Sequence, residues 1–302
     1  MRTLLTGATG FVGSFLFNLS DSFDCVVREN KRHDFKSVFI ISNLDKCTVW
    51  DGAFENVDCI IHLAGLAHSN NCSNQDYQSI NSEGTLHLAL EAAKAGVKRF
   101  VFVSSIGVNG TSTTNNKFSN ISKPDPHNYY ALSKYSAEIG LKNIAEMTGI
   151  EVVIIRPTLV YGPKAPGNFG RLTRFITKFP FLPFGLTNNK RDFISVQNLA
   201  DLLFVCSNHP NAAGHTFLAS ESQTVSIKDF TIAMAKGLEV SLIQLPVPVG
   251  LMRFAGRIFG KSLMVEQLVG DLQVDSSNLK EVLNWVPPYT MKESMAFLKD
   301  KN

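Results

Sequence analysis

Arg2-Thr-Leu-Leu-Thr6 running into Gly7-Ala-Thr-Gly-Phe-Val-Gly13 decides the fold. Leu4-Leu5 is a short apolar run that stops at glycine, as a buried strand does, and Phe11-Val12 and Phe15-Leu16 continue at helical spacing. A strand, a glycine turn and a helix in that order make a cradle for a dinucleotide pyrophosphate. Gly7 allows the tight turn, Gly10 lets the backbone approach the phosphates, and Gly13 lets the helix pack against the sheet. The helix start, carrying Phe11 and Val12, then offers free N–H groups and a partial positive charge.

Outward from this unit, apolar runs at 25–27, 38–41, 59–63, 100–103 and 152–155 read as further strands. Helical spacing over 82–95 places Leu86, Leu90 and Ala93 on one face, with Gly96 as the stop, and a long helix is predicted over 129–147. Continuously apolar strands alternating with helices predict an α/β fold, a doubly wound parallel sheet of Rossmann type. After residue 160 prolines at 163, 166, 180 and 183 change the pattern. Short strands near 194–196 and 215–218 are expected to return to the sheet, and 225–302 reads as mostly helical. The predicted plan is a dinucleotide-binding domain over 1–165, with 191–222 returning to it. A smaller substrate lobe is formed from 166–190 and 223–302, with the site in the cleft between them.

Composition narrows the function. The chain has 302 residues, 44% apolar and 18% charged, which is globular rather than disordered. A net charge of +3 gives no reason to expect nucleic acid or a membrane surface as partner, yet suits a small anionic substrate. Five cysteines at 25, 47, 59, 72 and 206 form no Cys-x-x-Cys, so neither a disulfide framework nor a metal site is expected. The glycine motif begins six residues after Met1, leaving no room for a signal peptide, and no stretch reaches the roughly 20 apolar residues of a membrane span. A cytoplasmic enzyme is the expectation. The stretch 246–260 reads either as a lobe helix packed over the substrate or as an amphipathic helix touching a membrane or a partner subunit.

The chemistry comes from Ser104-Ser105 at the end of the fifth strand and Tyr130-Ala-Leu-Ser-Lys134. Tyr130 and Lys134 lie four apart on a helix and share a face. A nearby ammonium is expected to lower the phenol pKa toward the working range, and the lysine also reaches a ribose. Ser105 is the second proton-handling group, with Ser104 the competing choice. Together these groups suit hydride exchange between a nicotinamide and a carbinol or ketone. Arg28 falls where the second strand ends, the position that reads the ribose 2′ substituent. An arginine there favours NADP(H), whereas Glu29, one residue on, would favour NAD(H). Lys31 and Arg32 read equally well as a solvated loop.

These signals, with His62-Leu-Ala-Gly65, Asn81-x-x-Gly-Thr85, Arg156-Pro-x-x-x-Tyr-Gly-Pro163, Arg191-Asp-Phe-Ile-Ser-Val196 and Leu283-Asn-Trp285, cover nearly the whole length. The chain resembles an extended short-chain dehydrogenase/reductase of the NAD-dependent epimerase/dehydratase kind. The resemblance implies a UDP-sugar substrate and a homodimer formed through two helices. It implies a cofactor site lined by Asn43, Leu44, Leu63, Ala64, Gly65 and Pro157. It also places Asn168 and Phe169 against the nucleotide-sugar, with Arg191 clamping the diphosphate. His62 reads as a packed structural residue. Ser105 is followed by Ile106-Gly107 rather than the acids of dehydratases or the Cys of epimerase-reductases. That leaves a 4-ketoreductase, which Arg28 favours, or, as the alternative, a UDP-hexose 4-epimerase with bound NAD; the stretches 163–172 and 191–201 resemble bacterial reductases of UDP-4-keto-6-deoxy-N-acetylhexosamines, so reduction of such a ketosugar at C4 is the main expectation. Leu268 stands where 4-epimerases carry a second arginine ahead of Asp271, leaving Arg171 or Arg253 as substitutes. A non-catalytic NADP-binding sensor is the reading of another class, and keeping both Tyr130 and Lys134 speaks against it.

Overall fold

The computed structural model describes residues 1–20, 22–67 and 72–299. Its strands are β1 (Thr3–Thr6), β2 (Phe23–Arg28), β3 (Val38–Ile41), β4 (Cys59–His62), β5 (Arg99–Val103), β6 (Glu151–Pro157), β7 (Leu159–Tyr161), β8 (Phe181–Leu182), β9 (Phe193–Ser195), β10 (Thr216–Ala219) and β11 (Ile243–Gln244). The helices are α1 (Phe11–Phe17), α2 (Asn74–Tyr77), α3 (Thr85–Lys94), α4 (Tyr129–Thr148), α5 (Gly167–Lys178), α6 (Val196–Asn208), α7 (Ile227–Gly237), α8 (Val249–Ile258), α9 (Ser262–Val269), α10 (Ser277–Leu283) and α11 (Met291–Ala296).

Seven strands form one sheet in the order β3-β2-β1-β4-β5-β6-β10, every pair parallel. The order reverses beside β1, which puts the glycine turn at the switch point where such sheets bind ligands. Both faces are covered, which is why the strands are apolar at consecutive positions. Leu5, Ile61 and Val101 pack on one side with Leu16 of α1 and Leu199, Leu202 and Leu203 of α6. Their neighbours Leu4, Ile60 and Phe100 pack on the other with Leu88 of α3 and Ala137, Leu141 and Ile144 of α4. Cys25, Cys59 and Cys206 lie buried as small apolar groups, and burial pushes the thiols of Cys25 and Cys59 up to about 12.

The structure departs from the sequence reading in three places. β10 returns to the sheet, beside β6, but β9 does not. With that edge taken, β9 pairs with β7 in a separate ribbon, tied by Glu221, whose carboxylate accepts from the Ser195 N–H (2.8 Å) and the Tyr161 hydroxyl (2.9 Å). The predicted helix over 82–95 begins as a wider π-type segment, Gln78–Gly84, before α3 takes over. Leu279, Leu283 and Trp285, in the stretch predicted for the lobe, pack instead with the sheet-side core. The lobe has its own core, in which Tyr161, Phe169 and Ile176 meet Phe230 and Met234 of α7 and Met295 of α11.

Candidate active site

The glycine turn is built without room for side chains. Gly7 has φ +76°, and a Cβ there would lie 2.8 Å from the Ala64 backbone nitrogen. A Cβ on Gly13 would lie 2.2 Å from the Gly7 carbonyl oxygen, so α1 sits directly against the turn. Gly10 closes the turn by donating its N–H to that same oxygen (2.9 Å). It precedes Phe11 and Val12 at the start of α1, where no side chain caps the helix and no acid stands in the first turn. The β4 exit runs alongside: Leu63 donates its N–H to the Thr6 carbonyl (3.2 Å) and Ala64 to the Thr6 hydroxyl (3.2 Å). A Cβ on Gly65 would meet Asn81 Oδ1 at 2.8 Å and Lys134 Nζ at 3.4 Å. The residues from Leu63 to Gly65 therefore span from the glycine turn to the catalytic lysine.

Other cofactor candidates lie around this line. Arg28 is the last residue of β2, held opposite Ile41, with an exposed side chain. The Glu29 N–H still bonds the Ile41 carbonyl (3.1 Å). Leu44 is buried and its carbonyl oxygen lies close against Gly84, while Asn43 donates to Asp45 (2.8 Å). Pro157 is buried at the end of β6 opposite Ala219, on the far side of the sheet order from the glycine turn.

Asn128 starts α4 by accepting from the Ala131 N–H (2.8 Å), and Tyr130 and Lys134 follow one turn apart. The Ser105 hydroxyl accepts from the Gly107 N–H (3.0 Å) and lies close enough to the Tyr130 phenol to lower its pKa. Ser105, just past β5, thus lies beside Tyr130 of α4, with Lys134 one turn further along the same helix. The expected lowering of the phenol does not occur. Burial pushes Tyr130 up to about 12, against the Ser105 hydrogen bond, which lowers it. The Lys134 ammonium is engaged elsewhere. It donates to the Val103 carbonyl (3.0 Å) and lies 4.6 Å over the Phe102 ring. Burial lowers it to about 8, with Glu138 opposing.

The choice between the two serines is decided by their partners. Ser104 is buried and donates to Glu138 Oε1 (2.5 Å). Glu138 in turn accepts from Arg156 Nε (2.9 Å) and Nη2 (2.5 Å), and Arg156 Nη1 donates to Asn109 (3.0 Å). Ser104 is consumed by this closed network, and Ser105 faces Tyr130. His62 is structural, as expected. Its ring bonds the hydroxyls of Thr6 (2.7 Å) and Thr85 (2.9 Å), stacks on Phe102, and is held near 3 by burial and by Lys134.

Two neighbours of the catalytic groups escape a residue-by-residue sequence reading. Asn81 accepts from the Leu66 N–H (2.7 Å) and donates to the Leu66 carbonyl (3.0 Å) and the Ser133 hydroxyl (3.0 Å), joining the β4 exit to α4. Its signal is Asn81-x-x-Gly-Thr85, read together with the π-type segment that carries it. Tyr77 packs edge-on against Tyr130 with ring centroids 6.3 Å apart, and no motif marks it.

On the lobe side Arg191 is 7% exposed and donates to the Gly270 carbonyl (2.9 Å). The ion pair that its neighbour Asp192 invites does not form. Asp192 accepts instead from the Thr224 hydroxyl (2.5 Å) and the Val274 N–H (2.7 Å). Burial lowers the guanidinium to about 10, with Asp271 and Asp192 opposing at longer range. Asn168 is exposed at the start of α5 and donates to Gln267 (3.3 Å), but the Phe169 ring is buried against Tyr161 and Phe230. Phe169 therefore supports the site from the lobe core, because its side chain turns away from solvent. Of the substitutes for the missing second arginine, Arg253 is held by both oxygens of Glu266 (2.7 and 3.1 Å), and Arg171 is exposed on α5.

Residues 3–219 match the model of the NAD dependent epimerase/dehydratase family. The chain belongs to this family. It is 40% identical to a UDP-glucose 4-epimerase of Vibrio cholerae, over 99% of this chain and 96% of that protein. It is 24% identical to the N-acetyl-alpha-D-glucosaminyl-diphospho-ditrans,octacis-undecaprenol 4-epimerase of Escherichia coli O157:H7, over 97% and 93%. The fold superposes on the UDP-glucose 4-epimerase of Thermotoga maritima, solved with UDP-glucose, with TM-score 0.79 and 20% identity over 99% of this chain and 98% of that one.

Proposed function

We propose that the protein is a 4-epimerase acting on a hexose carried on a diphosphate, a UDP-hexose first, with NAD as its resident cofactor. The observation that supports this reading most is the convergence of Ser105, Tyr130 and Lys134 beside a glycine turn in which added Cβ atoms have no space. The 40% relative carries the same activity over almost its whole length. The dinucleotide supplies a hydride acceptor that later returns the hydride to the same carbon. Gly7, Gly10 and Gly13 would hold its pyrophosphate, Leu63, Ala64 and Gly65 would line it, and Lys134 would take its ribose.

The remaining steps belong to the chain. Tyr130 takes the proton from the C4 hydroxyl as the ketone forms and gives it back when the ketone is reduced. At about 12 the phenol is too weak a base near neutral pH, so positive charge arriving with the bound groups must lower it before turnover. Ser105 donates to the C4 oxygen and keeps it beside the phenol. Arg191, a buried cation short of acceptors, would grip the diphosphate.

One observation favours the second reading, a 4-ketoreductase using NADPH. Arg28 stands exposed at the end of β2 and would pair with a 2′-phosphate. Incubation with UDP-glucose or UDP-N-acetylglucosamine and no added coenzyme separates the two. Interconversion of the C4 epimers supports the epimerase. Consumption of NADPH only when a UDP-4-ketosugar is supplied would replace it with the reductase.

A further inference from the structure

The C-terminal lobe carries an apolar surface that the C4 chemistry does not use. Among the described residues, twelve of the twenty-three large apolar side chains left exposed fall within 175–186 and 243–264. On α8, Leu251, Phe254 and Ile258 follow at i, i+3 and i+7 and so share one face; Phe259, Leu263 and Met264 continue it into α9. The two helices are packed together: a Cβ on Gly256 would lie 2.7 Å from the Val265 side chain, and Arg253 pairs with Glu266 across the turn. The opposite side of α8 is anchored through Met252 in the lobe core, the same cluster that holds Leu172 and Ile176 of α5. The apolar side chains are therefore not a misplaced core stripe. The helix has a core face, and this is another one.

The charge around this surface is one-sided. Residues 164–190 and 246–271 hold eight lysines and arginines against two acids, Glu266, which pairs with Arg253, and Asp271, which also acts on Arg253. The whole chain is only +3, so the rest of the molecule is net acidic. The small total hides a polarised molecule. Arg257 and Lys261 are exposed beside the apolar face and have no ion-pair partner within 4 Å among the described residues.

We propose that the α8–α9 hairpin, with the edge of α5 beside it, docks on the surface of an anionic bilayer. Phenylalanine, isoleucine, leucine and methionine would enter the boundary between headgroups and acyl chains, while the lysine and arginine heads reach lipid phosphates. A second copy of the chain is a poorer occupant, because a two-fold contact would set this cation-rich patch against the same patch of the other copy, with few acids to answer it. No described helix is long and apolar enough to cross a membrane, so the contact is with the surface. Asn168 on α5 bonds Gln267 on α9, which places the docking face next to a candidate substrate residue. The inference holds whichever C4 reaction the site performs.

The test is sedimentation of the full chain with vesicles of phosphatidylcholine alone and of phosphatidylcholine mixed with phosphatidylglycerol, in the absence of sugar substrate. Binding is expected to the mixed vesicles and to weaken with salt. The pair R257Q/K261Q should lower the partition coefficient about 25-fold, roughly fivefold per charge. The pair F254S/I258S should lower it by at least about tenfold. Both pairs should turn over a soluble UDP-hexose like the parent, which reports on the proposed reaction separately from docking. Failure of the parent to bind mixed vesicles would overturn the proposal. So would binding unchanged by R257Q/K261Q, both exposed positions whose replacement leaves the fold intact. Conversion of a dimer to a monomer by F254S/I258S, with no vesicle binding by the parent, would assign the face to a second copy.

Discussion

Two buried arginines, one at the sheet and one in the lobe, have opposite circumstances. Arg156 is 3% exposed and fully matched: two nitrogens meet Glu138 and a third meets Asn109. Arg191 is 7% exposed and meets one backbone carbonyl, its nearest acids being held by other donors. Burying a charge is costly unless it is paired. The sheet side has closed its electrostatics internally and gains a rigid platform beneath Ser105 and Tyr130. The lobe side leaves the Arg191 guanidinium with one carbonyl as its side-chain partner among the described residues, which suits the diphosphate-binding role proposed for it.

Four measurements would break or sharpen this contrast. Replacing Tyr130 by Phe on the closed side should cut turnover roughly a thousandfold while cofactor binding, read by fluorescence titration, stays near normal. Equal loss of cofactor affinity would mean the phenol serves binding instead. Next in size, Glu138→Ala strands Arg156 and should cost about 3–5 kcal/mol in denaturant unfolding. A loss below about 1 kcal/mol would show that the platform is not held by this pair. Arg191→Gln should behave in the reverse manner, raising the dissociation constant for UDP about 10- to 100-fold with little loss of stability. If Arg191→Gln unfolds as readily as Glu138→Ala, the contrast fails. The last, and per pH unit the smallest, is the effect of His62. Its folded value near 3 lies below the ordinary 6.5, so the unfolded chain binds the extra proton between these limits. Stability is therefore full above about pH 6.5 and declines as pH falls, by up to about 1.4 kcal/mol per pH unit. His62→Gln should flatten that decline in thermal melts.

The parallel sheet was legible because its strands are apolar at consecutive positions, as at Leu4-Leu5 and Ile60-Ile61, and because a glycine turn marks the first crossover. Tyr130 and Lys134 were legible because helical spacing puts them on one face. What stayed hidden depends on partners distant in sequence. Ser104 and Ser105 look alike until Glu138, more than thirty residues on, claims one of them. The pairing of β9 with β7 follows from Glu221 and from an edge already occupied by β10, neither of which a local pattern contains. The phenol's upward shift, against the expected fall, comes from burial, with Ser105 opposing it and Tyr77 adding to it.

The doubly wound sheet, the glycine turn and the candidate pair Tyr130 and Lys134 follow from the sequence, because period, spacing and residue type are local properties of the chain. Only the tertiary structure showed which serine Glu138 claims, that Arg191 forms no ion pair among the described residues, and that α8 leaves an apolar face exposed. Those facts depend on burial and on contacts between distant segments, and desolvation fixes the cost of each charge only once its surroundings have assembled.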